Sequence, residues 1–460
     1  MFRKFIGDRA FYKRVLTVAV PIIIQNGITN FVSLLDNIMV GQVGTLPMSG
    51  VSIVNQLIFV FNLCIFGASS GAGIFTAQFH GSRDTEGVRH TFRFKLLICT
   101  ALSLIVGTLF ALYGKTLIGL YLTGEGDGAD AAQVLSFGWD YLLVMLWGLL
   151  PFGLCTAYAG TLKECGETFV PMAAGVAAVA INLILNYVLI FGHFGAPAMG
   201  VRGAAIATVI SRYAELLLVA GWTHRHGAKH PFIRGAFRSM AIPAPLLKNI
   251  VITGRPLLAN ELLWSMGVAT MNQCYSTCGL DVVPAMNITS TLGNLAGVVY
   301  QSLGVSVGIL MGQMLGAQRP EGELRDTNRK LVAFSVASGT GFGLLMALGS
   351  GAFPGIYNTT PAVRLLAQDL ILISAMVMPF QSFANATYFT LRSGGKTFIT
   401  FLFDSVFMWT CCVSLGYVLS RYTALPILPL FALCQVPEAV KCILGWLMLK
   451  KGSWIHTLAQ

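Results

Sequence analysis

Long apolar runs separated by short polar connections dominate the chain, and none alternates apolar and polar positions as a half-buried strand does. Twelve runs reach the roughly 20 residues that a helix needs to cross a bilayer. They fall at about 15–39, 51–79, 93–114, 133–158, 168–192, 200–222, 251–275, 284–314, 331–352, 364–390, 398–420 and 424–449. Backbone amides in lipid must be satisfied within the protein, so only helices and closed barrels span. Continuous apolar runs exclude the alternating strands of a barrel. The pattern predicts an all-α integral membrane protein of twelve transmembrane helices.

Composition agrees. Of 460 residues, 55% are hydrophobic and 11% charged, and the mean hydropathy is +0.71. A water-soluble globule carries about twice that charge, and a disordered chain far less apolar surface. The net charge of +11 raises the question of nucleic acid, but the 30 Lys and Arg are dispersed over connections and form no single basic face. With both termini cytoplasmic, the inner connections hold Arg3–Arg14, Arg83–Lys95, Lys163, Arg225–Arg255, Arg319–Lys330, Arg392, Lys396, Lys441, Lys450 and Lys451. Only Lys115, Arg202, Arg364 and Arg421 lie outside, with Arg212 inside a span. The positive-inside rule fixes this orientation. The basic start followed by an apolar run resembles a secretory signal, but the run is long and no small-residue cleavage site precedes Asp36, so it is a retained first span. The 10 cysteines form no zinc-type pair of pairs and read as small apolar fillers.

The longest polar connection, 223–250, contains His224, His226, His230, Pro231, Pro243 and Pro245. It divides the chain into an N-lobe, 1–222 (helices 1–6), and a C-lobe, 251–460 (helices 7–12), with 223–250 as a solvated cytoplasmic loop. A shift of 235 residues superposes Pro21 on Pro256, Asn37 on Asn272, Gly73 on Gly308, Gln78 on Gln313, Gly81 on Gly316 and Glu86 on Glu321. Each repeat holds six helices, so both enter the membrane the same way. They are expected to be related by a pseudo-two-fold axis along the membrane normal.

Ionisable groups inside a bilayer cost several kcal/mol unless they meet water or partners, so they are the first functional candidates. Here they are Asp36, Asp140, Arg212, Glu215, Glu261, Asp404 and Glu438. Asp36 follows Arg14 by 22 residues, about 33 Å along a helix, in the outer half. Asn182 and Asn186 share a face of helix 5 one turn apart, and Thr208 comes about two turns into helix 6. One carboxylate with amide and hydroxyl oxygens suits Na⁺, while the carboxylate alone suits H⁺. Glu261 lies about 9 Å inward of Arg255 and is a second candidate. Arg212 and Glu215, spaced i,i+3, read as a structural pair. Pro21, Pro151, Pro256 and Pro379 interrupt apolar spans, where a missing donor permits a kink.

Several function classes are excluded. No Gly-x-x-x-x-Gly-Lys-Ser/Thr loop is present, so ATP-driven transport would need another subunit, and none is expected. No triad or metal motif supports an enzyme, and no cofactor is implied. Gly71 and Gly73 lie inside helix 2 and read as helix packing.

The residues resemble the multidrug and toxic compound extrusion (MATE) family over nearly the whole chain. The resemblance rests on Pro21 with Asp36-Asn37-Ile38-Met39-Val40-Gly41, on Gln78-x-x-Gly81, on Gly166-Glu167-Thr168, on Asn186 to Gly192, and on Gly200-Val201-Arg202-Gly203-Ala204-Ala205-Ile206-Ala207-Thr208. It implies two six-helix lobes around a cavity that opens alternately to each side, with drugs expelled in exchange for inward Na⁺ or H⁺ across a bacterial cytoplasmic membrane, by a protein working as a monomer. By motif it assigns ion coupling to Asp36, Asn182, Asn186 and Thr208, and a second-lobe acid to Glu261. The acid that some sodium-linked members carry in helix 10 is missing. Gln381 and Asn385 stand nearest to that position, and with Asp404 they are weaker cavity candidates. The alternative is a lipid-linked sugar flippase of related fold. It would need several cavity arginines, and Arg212 is the only Arg or Lys read as deep.

Overall fold

The computed structural model describes residues 4–122, 128–279, 281–423 and 425–458; Arg3 and the side chain of Asn37 lie outside the described set. Twelve long helices are found among the described residues, and no strand. They are α1 (Arg9–Gly41), α2 (Thr45–Gly81), α3 (Thr85–Leu120), α4 (Gly128–Glu164), α5 (Phe169–Phe191), α6 (Val201–Arg225), α7 (Ala244–Ser276), α8 (Val282–Gly316), α9 (Glu321–Gly349), α10 (Pro361–Ser393), α11 (Thr397–Tyr422) and α12 (Ile427–Lys451). Each coincides with an expected span. Several run one to three turns longer because the helix continues past its apolar stretch. In α3 the added first turns carry Glu86 and Arg89.

Eleven of these helices, among the described residues, are long and apolar enough to cross a membrane. The other, α7, is 33 residues long but is diluted by Asn260, Glu261, Asn272 and Gln273. The helix ends follow local chemistry. Asp84 caps α3 by accepting from the Gly87 amide at 3.0 Å, and Thr360 caps α10 by accepting from the Val363 amide, with Pro361 in the first turn. Side chains such as Leu348 (83% exposed), Leu112 and Leu217 face outward, a surface that only lipid accommodates.

By internal packing the chain forms two compact units. The first comprises Met1–Ile23, Ala77–Arg83 and Ile252–Gln460, and the second Ile24–Thr76 and Asp84–Val251. In the first unit, α8 packs on α9 and α10, and α10 on α12. The ends of α2 and α8 cross with no room for a side chain. A Cβ on Gly81 would strike the Gln313 carbonyl, and one on Gly316 the Gln78 carbonyl. These four residues are the Gln-x-x-Gly pairs superposed by the 235-residue shift. The Gln78 amide, fully buried, donates to the Ser393 carbonyl at 2.8 Å and accepts from the Leu458 amide at 2.6 Å, fixing the segment after α12.

In the second unit, α4 packs on α3 and α6, and α5 on α6. The connection after α6 is not a solvated loop as its polar residues imply. Phe232, Ile233, Ala236 and His230 are buried, and Arg93 of α3 donates to the carbonyls of Ala236, Gly235 and Ala241 at 2.8, 3.0 and 3.3 Å. His224 bonds the Tyr158 hydroxyl, and Trp222 stacks on His226. Aromatic residues between the polar ones supply the apolar anchor.

Candidate functional site

The last turns of α1 and α5 and the first turns of α6 bring four expected residues together. Asn186 donates from Nδ2 to Asp36 Oδ1 at 2.6 Å and to Asn182 Oδ1 at 3.2 Å, and Asn182 Nδ2 reaches the Thr208 hydroxyl at 3.3 Å. Turned over, the Asn182 amide donates to both Asp36 oxygens at 3.1 Å while its oxygen accepts from Thr208. Asn182 and Asn186 are buried, and Asp36 partly so. Two features bear on chemistry. Among the described residues no Lys, Arg or His pairs with Asp36, so its charge has only neutral neighbours. Asn186 Oδ1 is buried without a hydrogen-bond partner among the described residues. The result is a membrane carboxylate held by neutral amides beside one unused acceptor oxygen.

Sequence reasoning missed one neighbour and misassigned the partner of another. Tyr141 of α4, buried, bonds Asn55 of α2 at 3.4 Å and stands near Asp36 and Arg212. No spacing signal marks it, since the contact is tertiary. Arg212 and Glu215 still attract each other, but they do not make the expected direct ion-pair contact. Arg212 donates to the Gly148 carbonyl at 3.3 Å and lies 4.9 Å from the Phe152 ring centroid, both on α4. Glu215 is turned toward Cys155 and Lys163. Helix packing against α4 overrides the i,i+3 spacing.

The first unit holds the remaining candidates. Glu261 of α7 stands near Arg392 and Asp404. Asp404 takes Lys441 Nζ at 2.7 Å on Oδ1 and Asn260 Nδ2 at 3.1 Å on Oδ2. Ser405 donates to the side-chain and backbone oxygens of Asn260. On α10, Gln381 is partly buried. Asn385 Oδ1, buried without a partner among the described residues, fills the space above Gly304, where a Cβ would meet it. Lys441 is therefore no loop residue. It lies ten residues, about 15 Å, before the end of α12, and is nearly buried.

A model of the MatE family matches residues 21–188 and again 256–419. The chain belongs to the MATE family. As a transporter of this family it is not an enzyme and needs no cofactor, and its helices make it a multi-pass membrane protein. The two matches of this MATE protein begin at Pro21 and Pro256, the register in which the chain superposes on itself. Among its relatives, the probable multidrug resistance protein NorM of Thermotoga maritima is 23% identical over 96% of this chain and 93% of its own. The multidrug resistance protein PmpM of Pseudomonas aeruginosa is 25% identical over 89% of this chain and 84% of its own. The crystal structure of the Vibrio cholerae MATE transporter VcmN in the bent form superposes with a TM-score of 0.83 at 17% identity, covering 96% of this chain and 97% of that one. The shared fold is two lobes of six helices.

Proposed function

We propose that this MATE transporter is a secondary multidrug exporter that expels organic cations and other amphiphilic drugs by antiport with Na⁺ or H⁺. The names of its relatives as multidrug resistance proteins support the cargo class. One observation carries the coupling. Asp36 is a membrane carboxylate whose contacts are neutral amides and which has no fixed counter-ion among the described residues. A charge of that kind costs several kcal/mol unless a mobile cation meets it. Asp36, Asn182, Asn186 and Thr208 bind the coupling ion. With Na⁺, the amide oxygens and the Thr208 hydroxyl complete a hard-oxygen shell; with H⁺, the neutral carboxyl group suffices. Glu261 serves as the acid of the second half, and Gln381, Asn385 and Asp404 contribute polar contacts to cargo.

Exchange requires only that the ion favour one conformation and the cargo the other. In this reading 1–222 and 251–460 act as two lobes related by an axis along the membrane normal. The 223–250 connection and both termini are cytoplasmic, as the distribution of Lys and Arg supports. The protein works as a monomer in a bacterial cytoplasmic membrane without an ATPase subunit.

The test is ethidium efflux from vesicles under separately imposed Na⁺ and pH gradients. Asp36→Asn is expected to abolish gradient-driven efflux, and the gradient that drives the wild type names the ion. Undiminished efflux in Asp36→Asn refutes the assignment.

A further inference from the structure

The first unit contains a second intramembrane charge of opposite design. Asp404 lies about 10 Å along α11 from Thr397, in a π-helical stretch, Leu402–Val406, followed by another, Met408–Val413. Two such turns in succession are uncommon and concentrate at functional sites. Unlike Asp36, this carboxylate holds a fixed cation, Lys441, with only 10% of the lysine side chain exposed. A buried ion pair of this sort is a poor stabiliser, because desolvating two charges offsets their attraction. Its retention calls for a reason other than stability.

The surroundings of the ammonium group describe what it replaces. Lys441 Nζ sits 2.7 Å from Asp404 Oδ1 and 5.3 Å from the Phe403 ring centroid. A carboxylate beside an aromatic face is the pair of features that recognises an organic ammonium ion. Asn260, itself fixed by the Ser405 hydroxyl, donates to the other carboxylate oxygen, and 20% of the Asp404 side chain stays accessible. Glu261 of α7 and Glu438 of α12 add two carboxylates to the neighbourhood and Arg392 of α10 one cation. Thr387 of α10 shares with Phe403 the packing against Gly445, one turn beyond Lys441, and its fully buried hydroxyl has no partner among the described residues.

We propose that Lys441 is a tethered surrogate for cargo: it occupies the Asp404–Phe403 subsite when the transporter is empty, and an organic monocation bearing an amine or quaternary nitrogen displaces it. The idea rests on the organic-cation reading above and gives it a subsite and a built-in competitor. No bond is made or broken. The lysine swings off Asp404 along its flexible stem, and Glu438, three residues earlier on the same helix, is available to receive it.

A competitor that fills the subsite more than nine-tenths of the time weakens apparent affinity at least tenfold, since only the vacant fraction binds. The measurement is equilibrium binding of ethidium to the purified full-length transporter by fluorescence, for wild type, Lys441→Met, Lys441→Arg and Asp404→Asn. Lys441→Met is expected to bind at least tenfold more tightly. Lys441→Arg keeps the charge, fastens Asp404 with a planar fork, and is expected to bind more weakly, giving a reading even where Lys441→Met fails to fold. Asp404→Asn is expected to weaken binding by tenfold or more. A purely structural ion pair predicts the wild-type constant in every folded variant, and that result overturns the proposal while leaving organic-cation export intact. Absence of ethidium binding in wild type and in folded variants alike overturns both.

Discussion

Arg93 is the post to which the connection between the two halves of the chain is tied, and cutting it gives a measurable release. The guanidinium group, 6% exposed, donates to three carbonyls of that connection, Ala236, Gly235 and Ala241, at 2.8, 3.0 and 3.3 Å. Arg93→Ala removes all three bonds. A bond from a charged donor contributes roughly 1.5–3 kcal/mol where the orphaned partner stays buried. Gly235 is only half-buried and Arg238 next to it is exposed, so water reaches part of the strand and about 1 kcal/mol per bond is the better figure, about 3 kcal/mol in all. At 1.4 kcal/mol per tenfold, the locally opened state becomes roughly 100-fold more populated, without global unfolding. Trypsin reads this directly, because Arg234 and Arg238 lie exposed within the segment. At low protease the rate of cleavage at these two sites tracks the open population. We expect it to rise about 100-fold in Arg93→Ala, and by less in Arg93→Lys, which keeps part of the bonding. Phe232 and Ile233 remain as the apolar anchor in both. Cleavage within twofold of wild type in a folded Arg93→Ala protein refutes the claim that this side chain holds the connection.

Other outcomes follow from the same geometry. Gly81→Ala and Gly316→Ala each push a methyl group into a backbone carbonyl, of Gln313 and Gln78 respectively. Each is expected to cost about 2 kcal/mol or more and to lower the thermal midpoint in detergent; Gly322→Ala, with nothing within 4 Å of its Cβ, does not lower it. Asn186→Ala removes the 2.6 Å bond to Asp36 and an unused acceptor oxygen. At about 1.5–3 kcal/mol for a bond to a charged group, the apparent affinity for the coupling ion should change tenfold or more in efflux titrations. Thr208→Ser should retain efflux that Thr208→Val loses, because only the hydroxyl reaches Asn182; equal activity in the two variants removes Thr208 from the site.

The fold was legible wherever a length of apolar sequence decides the matter, because the cost of unpaired backbone in lipid leaves the chain no alternative to a helix. Even α7, diluted by Asn260 and Glu261, forms over the expected stretch and beyond it. The meeting of Asp36, Asn182, Asn186 and Thr208 was also legible. Depth along a helix is 1.5 Å per residue and α5 exits where α6 enters, so three positions could be assigned to one level before any packing was known. What escaped was pairing across helices. Lys441 read as a flank because it is near the end of a long run, yet its partner is 37 residues away on α11. Arg212 and Glu215 had the right spacing to pair, but Gly148 and Phe152 of α4 claim the arginine. The connection after α6 was judged by its His and Pro, whereas Phe232 and Ile233 decide where it lies.

If the proposed roles hold, the intramembrane carboxylates Asp36 and Asp404 divide the labour by their surroundings. Asp36 is contacted by the amides of Asn186 and Asn182, groups that solvate a small bare cation well. Asp404 is already matched by an ammonium group that lies over the Phe403 ring, an environment in which a small hydrated ion gains little over Lys441 and an organic cation gains both contacts. Sites that differ in this way keep the two kinds of ion from competing at one locus, although coupling itself requires only that each favour a different conformation. Exchange through two sites also makes a separable demand: Asp36→Asn should abolish gradient dependence while leaving ethidium binding within a few-fold of wild type, and Asp404→Asn should do the reverse at low cargo concentration. Loss of both properties in either single variant would mean that one locus serves both ions.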